Sequence, residues 1–136
     1  MKEITLQATI ENISKVTDFV DAFLDEYQCP FKSKMQIDIA IDELFGNIAH
    51  YAYGNQIGEA TVCVEWNEEK SSVTISFIDQ GIPFNPLETE EPDITLSVEE
   101  RKIGGLGIHM VKKNMDEIEY QYVDGQNRLK ISKKIS

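Results

Sequence analysis

Residues 3–10, EITLQATI, alternate apolar Ile4, Leu6, Ala8 and Ile10 with polar neighbours, which is the period of a half-buried strand. From Ile13 the period lengthens: Val16, Val20, Phe23, Leu24 and Tyr27 mark one face of an amphipathic helix. Pro30 disfavours a helical Cys29, so this helix is expected to end near QCPF. Ser33 is the expected cap of a second helix, in which Ile37, Ile41, Leu44 and Ile48 recur at helical spacing until about YGN. ATVCVEWN and SVTISFIDQG alternate as two strands around the polar NEEKSS. EIEYQYV and RLKISKKI alternate again, with DGQN between them as a hairpin turn.

Residues 82–103, IPFNPLETEEPDITLSVEERKI, hold three prolines and six acids and sustain no period, as a functional lid or disordered insert would. They run into GGLGIHMVKKNM, where glycines lead directly into an apolar helical pattern. The order β-α-α-β-β-lid-α-β-β predicts an α+β fold: a two-layer sandwich with helices packed on one face of a mainly antiparallel or mixed sheet. At 136 residues the chain is expected to form a single domain with a real core.

The formal net charge of −11 changes the choice of partner. It disfavours nucleic acid, whose phosphates need a basic surface, and it disfavours docking on anionic membrane. No run is long enough to span a bilayer, and nothing at the start reads as a signal peptide. Cys29 and Cys63 lie far apart with no Cys and His grouping of zinc spacing, so two free thiols in a reduced, cytoplasmic protein are expected.

Three stretches carry candidate chemistry. In IDELFGNIAHYAYG, Glu43, Asn47 and His50 follow i, i+4, i+7 spacing and share a polar stripe beside the apolar one. Glu43 there suits a general base, and Asn47 offers a neutral oxygen to Mg²⁺, which takes few protein ligands. A solvated helix face would look the same, and His50 reads best as a partner for a loop near the helix end. In DQGIPF, Asp79 ends an alternating strand, where its carboxylate can accept from an exocyclic amine while Gly81 leaves room for a flat ring. An ordinary Asx turn has the same composition. In GGLGIHMV, Gly104, Gly105 and Gly107 let backbone approach a ligand at a helix N-terminus, a ready phosphate site. Glycine-rich turns before helices are also commonly structural.

Taken together, ELFGN, DQGIPF and GGLGIHMV resemble the N box and the two glycine boxes of the GHKL ATPases. Within that superfamily, GGLGIHMVKKNMDEIEY followed by DGQNRLKISKKI most resembles the small bacterial anti-sigma-factor serine/threonine protein kinases. The resemblance covers nearly the whole chain. It implies Glu43 as the catalytic glutamate, Asn47 as the Mg²⁺ ligand, and Asp79 as the partner of the adenine amine with Gly81 behind it. It also implies that Gly104, Gly105, Leu106 and Gly107 bring backbone to the phosphates. Asn127 stands nearest the position of an adenine-side threonine, and Arg101 and Lys102 precede the second glycine box where some relatives place a γ-phosphate arginine.

The implied function is ATP-dependent phosphorylation of a small antagonist protein on serine, with a sigma factor as the second partner and a homodimer as the implied assembly. An alternative is a nucleotide-gated binding module that sequesters a partner without transferring phosphate. The catalytic domain of a histidine kinase is disfavoured, because no helical pair with a phospho-accepting histidine precedes the first strand.

Overall fold

The computed structural model describes residues 1–88 and 105–135, with the backbone alone for residues 105 and 106. Among the described residues five strands form one sheet: β1 (Lys2–Gln7), β2 (Glu59–Asn67), β3 (Ser72–Asp79), β4 (Glu117–Val123) and β5 (Gln126–Lys134). Their order is β1-β2-β3-β5-β4, and every neighbouring pair is antiparallel. Three helices, α1 (Ile13–Glu26), α2 (Phe31–Asn47) and α3 (Gly105–Asn114), supply the second layer of the α+β sandwich.

The core lies between the layers. Val62, Val64, Val73, Ile75, Phe77 and Ile131 come from the sheet, and Val16, Val20, Leu24, Ile37, Ile41, Leu44 and Phe45 from the helices. Each such side chain contributes about 1.5–3 kcal/mol on full burial. Val73, Ile75, Phe77 and Asp79 occupy alternate inward positions of β3, so strand periodicity itself carries a carboxylate into the interior.

Two boundaries differ from expectation. Ser33 does not cap α2: the Pro30 carbonyl accepts the Lys34 N–H at 3.0 Å, which makes Pro30 the capping residue and leaves Ser33 inside the first turn. Pro30 is suited to this place because its fixed φ of −59° leads directly into the helix. The hairpin turn is also shorter than DGQN. Asp124 and Gly125 have φ of +54° and +76°, the geometry of a two-residue turn, so Gln126 and Asn127 already belong to β5. Asn127 consequently lies directly across from Asp79.

α2 continues into a single π turn over Ile48–Ala52. This wider turn breaks the seven-residue spacing that would align His50 with Glu43. Of the expected lid, residues 82–88 include a short 3-10 turn at Pro86–Glu88, and residues 89–103 lie outside the described residues.

Candidate functional site

Glu43 and Asn47 project from successive turns of α2 and are both half-buried. α3 is anchored over this region by Ile108, Val111 and Met115, and its Gly107 faces the glutamate. A Cβ at Gly107 would stand 2.0 Å from Glu43 Oε2 and 2.3 Å from its Cδ. A side chain at 107 would therefore have to displace the Glu43 carboxyl group, which packs against the helix backbone. Glu43 Oε1 is buried and has no hydrogen-bond partner among the described residues. Burial pushes the Glu43 carboxyl above the usual glutamate range, the neighbouring Asn47 amide opposes the shift, and Asp42 adds to it.

A cleft that Asn47 helps to line enters between the layers. Leu44, Asn47, Ile48, Tyr51 and Ala52 form one wall; Phe77, Asp79, Tyr120, Asn127 and Leu129 form the other. Ile82, Phe84 and Pro86 also line it. The Tyr51 and Phe84 rings, 6.0 Å apart between centroids and both partly exposed, lie tilted against each other.

Asp79 is only 5% exposed, and Oδ1 accepts from the Gly81 N–H and from Asn127 Nδ2, each at 2.9 Å. Both bonds use the same oxygen, and among the described residues no hydrogen bond reaches Oδ2. Around the corner, the Tyr53 hydroxyl donates to the Glu59 carbonyl at 2.5 Å and accepts the Gln80 N–H at 2.9 Å. It ties the end of the helix layer to the strands that carry Asp79.

The structure thus brings Asn47 and Asp79 into one cleft, with Glu43 beside Asn47 but off the cleft lining. It separates His50, which is exposed and packs its ring beside Tyr51 at 5.9 Å. The room left by Gly81 is taken by protein: a Cβ there would meet the Ala52 carbonyl oxygen at 2.1 Å, and the adjacent Ile82 N–H donates to that oxygen at 2.9 Å. Gly105 opens α3 and Gly107 lies in its first turn, whereas Arg101, Lys102 and Gly104 fall outside the described residues, as do the Leu106 side chain and its contacts. Among the described residues no group of His, Cys, Asp and Glu is placed to hold a metal ion by itself, and no helix is long and apolar enough to cross a membrane.

A largely apolar cleft lined by one carboxylate suits a flat heterocycle bearing an amine, and a helix N-terminus such as that of α3 suits an anion. Residues 6–133 match the family described as the histidine kinase-like ATPase domain. The chain belongs to that family. As a histidine kinase-like ATPase domain it has ATP as its expected ligand class. It is 30% identical over 95 residues to the serine-protein kinase RsbW of Bacillus mycoides, a match spanning 67% of this chain and 58% of that protein. The chain thus covers well under two thirds of that relative's length. It is 28% identical over 130 residues to the anti-sigma F factor of Caldanaerobacter subterraneus subsp. tengcongensis, spanning 95% of this chain and 89% of that protein. A crystal structure of the RsbU and RsbW domains of a Mycobacterium tuberculosis protein superposes with a TM-score of 0.69 at 16% identity, covering 99% of this chain and 33% of that one. That likeness supports the fold.

Sequence reasoning missed Tyr51, Tyr53, Phe84 and Tyr120 in this histidine kinase-like ATPase domain. Tyr120 had a readable signal, since it alternates with Ile118 on the inward face of β4. Tyr51 and Tyr53 had none, because the π turn sets their direction.

Proposed function

We propose that the chain is a protein serine/threonine kinase of the anti-sigma type, one that uses ATP and Mg²⁺ to phosphorylate a small antagonist protein on serine and also binds a sigma factor. The relatives' names support the class. The observation that carries the chemistry is the placement of Glu43 and Asn47, both half-buried, on successive turns of α2, with Asn47 lining the cleft that Asp79 also lines. The residues present fit such a ligand: Asp79 Oδ2 would accept from the adenine amine, the apolar cleft walls would cover the ring, and the backbone of Gly105, Leu106 and Gly107 would hold the phosphates. We take residues 1–136 to act as one ATP-binding unit, since the helices and all five strands contribute to a common core.

Asn47 would hold Mg²⁺ through its side-chain oxygen, and the ion would supply neutralisation of the charge that develops during transfer. Glu43 accepts the proton of the serine hydroxyl as the oxygen–phosphorus bond forms and the bond to the leaving ADP oxygen breaks. Its raised affinity for protons, a consequence of burial, makes it a better acceptor than an exposed glutamate. Positioning and electrostatics then account for most of the rate.

Incubation with γ-labelled ATP, Mg²⁺ and a candidate antagonist tests the proposal. Label is expected on an antagonist serine. Tight Mg-ADP binding with no label on any antagonist that the chain binds would contradict kinase activity.

A further inference from the structure

Asn127 commits its entire side-chain amide to the protein. Of its two Nδ2 hydrogens, one goes to Asp79 Oδ1 at 2.9 Å and one to the Ile82 carbonyl at 2.8 Å, with the Gly81 carbonyl at 3.5 Å behind them. Its Oδ1 accepts from the Phe84 N–H at 3.1 Å and from the Tyr120 hydroxyl. Two donors and two acceptor positions are all that an asparagine amide has. The residue is 6% exposed and sits opposite Asp79 in the β3–β5 register. Its partners belong to three separate pieces: the end of β3, the segment after it, and β4.

We infer that Asn127 is a positioning residue that holds Asp79 and residues 81–84 in their binding form before any ligand arrives, leaving base recognition to Oδ2 of Asp79. The inference rests on the nucleotide reading above. Asn127 has no bond left for a base, so discrimination depends on the direction of Asp79 Oδ2. An adenine amine satisfies that oxygen, whereas a guanine carbonyl in the same place opposes it. Once Asn127 is lost, Asp79 can turn and accept from the guanine N–H groups, so adenine selectivity should fall along with affinity. A role confined to stability would weaken both bases alike.

The test measures calorimetric affinity of the full chain for Mg-ADP and Mg-GDP, with Asn127→Thr and Asn127→Asp as variants, and amide exchange of Gly81 and Phe84 without nucleotide. The aspartate variant opposes two carboxylates across a short gap. It should weaken ADP about 10- to 100-fold near neutral pH and recover in acid, where the pair shares a proton. The threonine variant, with one hydroxyl, should keep part of the affinity and show a lower ADP-to-GDP preference. In the unliganded wild type the Phe84 and Gly81 amides should be protected, and Phe84 should lose protection in the threonine variant, whereas the aspartate variant keeps an oxygen to accept the Phe84 N–H.

Equal losses for ADP and GDP, or variants with wild-type affinity and preference, would overturn the inference. So would unprotected Phe84 and Gly81 amides in the wild type, a result that needs no variant to fold. A wild type that bound neither nucleotide would overturn the nucleotide reading, while exchange would still report whether Asn127 holds the turn.

Discussion

The Glu43 carboxylate occupies the space where a side chain at Gly107 would be, with Oε2 2.0 Å from the position of a Cβ. The second glycine box thus serves the glutamate as well as any phosphate. Gly107→Ala should favour α3 by about 0.5–1 kcal/mol on backbone grounds, because Gly107 is helical. Accommodation requires the carboxyl end of Glu43, the flexible partner in the clash, to move. Global stability by denaturant titration should change by no more than about 1 kcal/mol, while phosphoryl transfer falls at least about 100-fold. Full transfer in the alanine variant would show that the position of Glu43 does not matter.

A second carboxyl pair joins α1 to α2 away from the cleft. Asp38 is pushed up to about 7 from 3.8 by burial, by its hydrogen bond with Asp21 and by the Asp21 charge; Lys34 opposes this and Asp18 adds to it. Asp21 Oδ1 and Asp38 Oδ1 are buried and accept from no other donor among the described residues. The folded state holds a proton that the unfolded chain releases, so this contribution to stability is full below pH 3.8 and lost as pH rises through about 7. The wild-type denaturation midpoint should fall between pH 5 and pH 8 by more than that of Asp38→Asn, which keeps the bond and carries no charge. Parallel pH profiles for the two proteins would contradict the shared proton.

Periodicity was enough to read the sheet, the helices and their layer order, because strands and helices here each bury one regular face. What failed depended on particular partners. Ser33 had the right composition for a cap, but the first free carbonyl belonged to Pro30. Asn127 had the composition of a turn, yet positive φ at Asp124 and Gly125 closed the hairpin first. His50 fitted an unbroken helix and left the stripe when the π turn intervened. Glu43, Asn47 and Asp79 could be named from local spacing and resemblance. The reasons for glycine at 81 and 107 could not, since Ala52 and Glu43 approach from distant segments.

Glu43→Ala and Asn47→Ala should separate proton transfer from metal binding. Loss of Glu43 should spare Mg-ATP affinity and reduce transfer by about 10²–10⁴-fold at saturating nucleotide. Loss of Asn47 should weaken binding in a Mg²⁺-dependent way, so that nucleotide affinity measured with and without the ion converges. Both side chains lie off the apolar face of α2, so stability should change little. Titration of each folded variant, followed by transfer to an antagonist serine, gives the paired result; unchanged Mg²⁺ dependence in the Asn47 variant would remove it as a ligand.

Calorimetric titration of Mg-ATP into the wild type and Asp79→Asn tests the central claim most directly. The asparagine oxygen can still accept from Gly81 and Asn127, as Asp79 Oδ1 does at 2.9 Å, so the fold around the cleft is preserved. Its amide group then faces the adenine amine, donor against donor. The wild type should bind with one saturable site, and the variant should bind about 10- to 100-fold more weakly. No binding by the wild type, or equal affinity in the two proteins, would contradict an adenine nucleotide in this cleft.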